Sequence, residues 1–114
     1  MKPREKQRFL SLLRERIHRE SDIKRHKHGA MVIGPNGQVI SIGTNVSGSG
    51  FSSSRSIHAE EMAIIRAGRR GGIPRRSTLL VARLKKNGEW GYSEPCPRCY
   101  YIIQEVCFSE VSWT

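Results

Sequence analysis

His58-Ala59-Glu60-Glu61-Met62-Ala63-Ile64-Ile65 and, further along, Pro95-Cys96-Pro97-Arg98-Cys99 are the stretches that decide how this chain is read. In the first, apolar residues through Ala67 fall at helical intervals behind two glutamates, and acids in a first turn complement the helix dipole. In the second, Pro97 stands where a helix start tolerates a residue without an N–H, and Tyr100, Ile103, Gln104 and Cys107 continue at helical spacing. Each of two helix starts thus presents groups able to hold a metal. His58 offers an imidazole; Cys96 and Cys99, one helical turn apart, offer two thiolates to the same ion. One nitrogen and two sulfurs suit a borderline-soft ion, zinc above all, and three protein ligands leave one tetrahedral position open, as catalytic zinc sites require. The positive end of a helix also favours thiolate over thiol. Glu60 is not needed as a fourth ligand and is placed to move protons at the open position.

Outward from these stretches, residues 4–19 carry Phe9, Leu10, Leu13 and Ile17 on one face of a charged helix. Ala30-Met31-Val32-Ile33 and Val39-Ile40-Ser41-Ile42 flank Pro35-Asn36-Gly37, which predicts an antiparallel hairpin. Residues 47–56, rich in serine and glycine, lack periodicity and are expected to form a loop. Gly71-Gly72-Ile73-Pro74 ends the second helix, Thr78 to Ala82 has strand length, Lys85-Lys86-Asn87-Gly88 is a turn, and Val111 to Trp113 closes the chain as a last short strand. The expected order is helix, strand, strand, helix, strand, helix, strand, without an internal repeat.

The 114 residues suit a single domain spanning 1–114. With 37% hydrophobic and 26% charged residues the composition is that of an ordinary globular chain. Wholesale disorder is excluded. No apolar run approaches the roughly 20 residues of a membrane span, and the basic N-terminus lacks the apolar core of a secretory signal, so a soluble intracellular protein without a membrane partner is expected. Three cysteines there argue for metal binding over a disulfide framework. The formal charge of +10 and pI near 10.3 favour anionic partners. Ten of the basic residues fall within residues 1–27, and a second block, Arg66, Arg69, Arg70, Arg75, Arg76, Arg83, Lys85 and Lys86, contains no acid. Such blocks fit either a solvated surface or contact with a polynucleotide.

The H-x-E and P-C-x-x-C half-motifs at His58–Glu60 and Pro95–Cys99 resemble those of the zinc-dependent cytidine, deoxycytidylate and nucleic-acid deaminase superfamily, and the resemblance runs from the hairpin at Ala30 to the last strand. It implies a three-layer α/β/α sandwich around a mixed sheet, with Zn2+ as cofactor and hydrolytic deamination as the activity. Glu60 would protonate the ring nitrogen and then the departing amine. By the same resemblance Asn45, in Gly43-Thr44-Asn45, would bond the substrate sugar, and the Ala59 backbone would contact the base edge. The superfamily sheet normally has a fifth strand after the last one seen here; four are visible in the sequence, which leaves an exposed edge and an expectation of self-association into a homo-oligomer.

Phe51, Trp90 and Tyr92 lie near the half-motifs, where aromatic rings can stack on a base. Phe51 is the candidate substrate contact among them, and local packing is an equal reading for Trp90. A closed structural zinc site, with a fourth ligand from His26 or His28, is the competing reading and would make a nucleic-acid-binding module. His18 reads as surface, Cys107 as a buried thiol outside the site, and Arg98 receives no role. The expected substrate is cytosine, in single-stranded nucleic acid (DNA or RNA) or in a pyrimidine nucleotide. Glu94-Pro95-Cys96, which resembles transfer-RNA adenosine and guanine deaminases, keeps those bases as the alternative.

Overall fold

The computed structural model describes residues 1–20, 27–45 and 58–114. Its elements are α1 (Pro3–Glu20), β1 (Lys27–Ile33), β2 (Val39–Thr44), α2 (Ala59–Arg69), β3 (Thr78–Leu84), β4 (Trp90–Gly91), α3 (Pro97–Val106) and β5 (Glu110–Trp113). Strands β2, β1, β3 and β4 are neighbours in that order, and β5 also lies against β3. The β1–β2, β1–β3 and β3–β4 pairs are antiparallel, whereas β3 and β5 run parallel across the α3 connection. The sheet is therefore mixed, as expected.

Alternation within the two central strands explains why they read as unbroken apolar runs. Met31 and Ile33 of β1, with Leu80, Ala82 and Leu84 of β3, face Phe9, Leu10, Leu13 and Ile17 of α1 in one core cluster. The intervening residues, Ala30, Val32, Leu79 and Val81, face Ala59, Ala63 and Ala67 of α2 and Cys99 and Ile103 of α3 in the other. A sheet buried on both faces needs apolar side chains at every position. The three layers are α1, the sheet, and α2 with α3. Between β1 and β2, Gly37 takes φ of +82°, which glycine adopts without the Cβ penalty, so the Pro35-Asn36-Gly37 turn falls where expected.

Two findings depart from expectation. A fifth strand is present, in a place the spacing did not predict: β4 pairs Trp90 with Leu84 and Gly91 with Arg83, just after the Lys85–Gly88 turn. Among the described residues no strand follows β5, and the Trp113 carbonyl accepts a 3.0 Å hydrogen bond from the Lys6 ammonium of α1. Cys107, expected to be buried, is exposed and caps α3 in the left-handed region at φ 61°. Helix α3 ends there, so the residue that looked like a continuation of its inner face stands beyond its last turn. Trp90 is packed against the α1-side core with the Arg14 guanidinium 4.7 Å from its ring centroid, so packing accounts for it. Among the described residues no helix is long and apolar enough to cross a membrane.

Candidate metal centre

The two ligand-bearing helix starts meet on one side of the sheet. His58 is the N-cap of α2, extended at φ −71° and ψ 149°, and Cys96 is the N-cap of α3 at φ −70° and ψ 163°; neither side chain caps its own helix. The backbone carbonyls enter the helices, His58 accepting from Met62 N at 3.1 Å and Cys96 from Tyr100 N at 2.9 Å. The side chains are thereby left to turn toward one another. His58 Nδ1 lies 3.1 Å from Cys99 Sγ and 3.7 Å from Cys96 Sγ, and all three ligand atoms fall within 4.8 Å of one another.

These spacings fit a tetrahedral zinc ion. Zn–N near 2.0 Å and Zn–S near 2.3 Å at the tetrahedral angle put nitrogen and sulfur about 3.5 Å apart. The longer contact already matches, and the shorter needs to open by about half an ångström. His58, Cys96 and Cys99 are thus positioned to bind the metal. Cys99 is fully buried. Burial, reinforced by the neighbouring Glu60 carboxylate, pushes its thiol well above the ordinary range. The metal supplies the charge that makes that thiolate favourable.

Glu60, in the first turn of α2, is 4% exposed, and its Oε1 has no hydrogen-bond partner among the described residues. A buried carboxylate oxygen left without a partner is costly in a folded protein, and such an atom facing a cavity points to a missing water, ion or ligand. The cavity is present: about 240 Å³, lined by His28, Asn45, His58, Glu60, Ser93, Glu94 and Cys96. Ligand, carboxylate and the asparagine singled out from the sequence therefore share one space. Asn45 is held to the end of β1 by two bonds, its Oδ1 accepting from His28 N at 2.8 Å and its own N donating to His28 O at 3.2 Å. Ala59 is buried between His58 and Glu60. Phe51 and His26 lie outside the described residues.

Ser93 and Glu94 escaped the sequence reading as site members, and His28 entered it only as a fourth ligand of the competing closed zinc site. His28 is brought in by strand register, opposite Arg83. Ser93 is buried, its Oγ donating to Val81 O at 2.9 Å and lying 2.9 Å from Thr114 Oγ1, which fixes the chain where it enters Pro95 and Cys96. Glu94 was read only as a marker of base preference. At the rim its carboxylate accepts from the hydroxyls of Tyr92 and, at 3.1 Å, Tyr100. These bonds help to raise both phenols, with the Glu94 bond leading at Tyr92 and desolvation leading at Tyr100. Their sequence signal was only proximity to the half-motif.

Sheets on which two helix starts converge with one imidazole and two thiols, beside a buried acid, define a class of zinc-type deaminases. Residues 3–114 match the cytidine and deoxycytidylate deaminase zinc-binding region, and the chain belongs to that family of enzymes. The crystal structure of dCMP deaminase from the cyanophage S-TIM5 is similar at TM-score 0.73 and 26% identity, covering 100% of this chain and 87% of that one. The same enzyme in complex with dCMP and dUMP matches at TM-score 0.73 and 25% identity, over 100% and 85% of the two chains. Cytidine deaminase from Mycobacterium tuberculosis shares the fold at TM-score 0.62 and 22% identity, over 92% and 83%. No curated protein sequence matches this chain significantly.

Proposed function

We propose that this protein hydrolyses the exocyclic amine of cytosine in a pyrimidine nucleoside or nucleotide, consuming water and releasing ammonia and the uracil product. The observation that carries the proposal is the buried Glu60 carboxylate, its Oε1 partnerless, in the same cavity as His58 and Cys96. His58, Cys96 and Cys99 would hold a zinc ion, which when bound would supply Lewis acidity and a nucleophile at neutral pH. Glu60 moves the protons: it takes one from the attacking water, delivers it to the ring nitrogen, and carries a second to the amine as that group departs. Asn45, which lines the same cavity and is bonded to His28, contacts the sugar, and the Ala59 backbone meets the base edge. Membership of the family and the likeness to a dCMP deaminase support cytosine as the base.

The placement of the cations supports a small carrier for the base. Arg66, Arg69 and Arg70 occupy the last turn and C-cap of α2, and an 11-residue helix sets them roughly 16 Å along its axis from His58. Arg83, Lys85 and Lys86 fall at the other end, where β3 runs toward the cavity. The second basic block is thus divided between two ends of the molecule, which favours a small substrate over a long polynucleotide track. The test incubates zinc-loaded protein with cytidine, dCMP, adenosine, guanine and single-stranded oligonucleotides, and scores amine-to-oxygen exchange by mass spectrometry. Exchange in cytidine or dCMP, lost by at least about 100-fold in Glu60→Gln with zinc retained, is the expected result. Exchange confined to oligonucleotides or to purines overturns the substrate assignment, and exchange undiminished in Glu60→Gln overturns the role of the carboxylate.

A further inference from the structure

Arg98 stands between the two cysteines, one residue into α3, and its Nη2 meets Glu61 Oε2 of α2 at 3.2 Å. Glu61 stands three residues after the N-cap ligand of α2, and Arg98 two residues after that of α3. Their bridge therefore spans the gap between the helix starts that hold the metal ligands. Arg98 is badly placed for its own helix, since a cation in a first turn opposes the dipole, and α3 has no acid there to offset it. Glu61 is only 16% exposed at its side chain, and its Oε1 is buried without a partner among the described residues. Arg98 is thus the hydrogen-bonding partner of a largely buried carboxylate. At this end Ala59 of α2 and Cys99 of α3 share one buried cluster.

We infer that Arg98 and Glu61 form a clamp that sets the spacing of the metal ligands: a pair of positioning residues that act through His58, Cys96 and Cys99. The inference concerns the metal centre and stands whichever base is the substrate. Its sign separates it from a charge effect. Zinc brings two positive charges and displaces at most two protons from the thiols, so deleting a nearby cation by itself leaves metal affinity unchanged or tightens it. Deleting a clamp weakens it, because the ligands no longer rest near tetrahedral spacing. Loss of partners that orient metal ligands typically costs 10- to 100-fold in affinity.

The experiment measures zinc affinity by competition with a colorimetric chelator, the absorption spectrum of the Co2+-substituted protein, and thermal unfolding of the metal-free form. Arg98→Ala is expected to weaken zinc binding about tenfold and shift the cobalt spectrum, with Arg98→Lys recovering most of the affinity and the metal-free unfolding midpoint little changed. Unchanged or tighter binding in Arg98→Ala overturns the clamp. Should that variant lower the metal-free midpoint, the exchanged pair Glu61→Arg with Arg98→Glu decides: recovered affinity supports the clamp, and affinity no better than in Arg98→Ala overturns it.

Discussion

Gly43 of β2 passes close against the helix that carries Glu60. A Cβ built there would stand 2.4 Å from both Ala59 O and Ala63 N, which are backbone atoms of α2, and 2.9 Å from Met62 Cβ. Since ordinary contact begins near 3.4 Å, Gly43→Ala forces α2 to withdraw by about 1 Å, and a helix backbone has no rotamer with which to avoid the clash. Overpacking of this kind costs about 1–3 kcal/mol. In a domain of this size that lowers the unfolding midpoint by roughly 4–20 °C. The displacement falls on the start of α2, so function suffers beyond stability: a misplacement of about 1 Å costs on the order of 100-fold in rate. Gly68, in the same helix with nothing within 4 Å of its added Cβ, is the control. Gly68→Ala is expected to raise stability by about 0.5–1 kcal/mol with metal affinity unchanged. Differential scanning calorimetry and chelator competition on both variants provide the assay. A Gly43→Ala protein that melts and binds zinc like its parent would refute the argument that this approach positions the site.

The raised Cys99 thiol has a pH signature in the metal-free protein. As pH climbs past the range of an unfolded thiol, near 8.5, the unfolded chain ionises first, so stability is full below that point and falls by up to about 1.4 kcal/mol per pH unit above it. Denaturant titrations between pH 8 and 9.5 should show the slope, and Cys99→Ser should remove its thiol part; a flat profile contradicts the burial argument. At the β2 edge, Arg66 and Arg70 donate to the carbonyls of Ile42 and Ile40 at 2.8 and 3.2 Å. Replacing both by alanine uncovers a strand edge, and sedimentation should then report a larger average mass than for the parent at equal concentration. Leu13, completely buried against the sheet, should lose about 2–5 kcal/mol as Leu13→Ala, read by chemical denaturation; a loss under about 1 kcal/mol means that α1 is not part of the cooperative core.

The metal ligands were legible because helix N-terminal signals are local: Pro97 and the acids after His58 mark the starts, and a ligand at or beside a start needs no long-range information. The burial of Glu60 was legible only in part, since its place after His58 announces a role but not the sheet that excludes water from it. The partner of Arg98 was not legible at all, because a carboxylate 37 residues away is adjacent only after α2 and α3 have docked.

By itself the sequence determined the types of the main elements and the His–Cys–Cys set, which follow from periodicity and spacing within a few residues. Tertiary structure alone decided the remainder. Two residues carry no period, so β4 is a strand only because the end of β3 offers its unpaired ladder groups to Trp90 and Gly91. Nothing local to Cys107 says that α3 stops there and leaves it exposed. The second basic block is continuous along the chain and divided in space, because α2 and β3 carry its halves to opposite ends of the fold. Local signals fix what each segment becomes, while charge, exposure and partnership depend on which segments the packed core brings together.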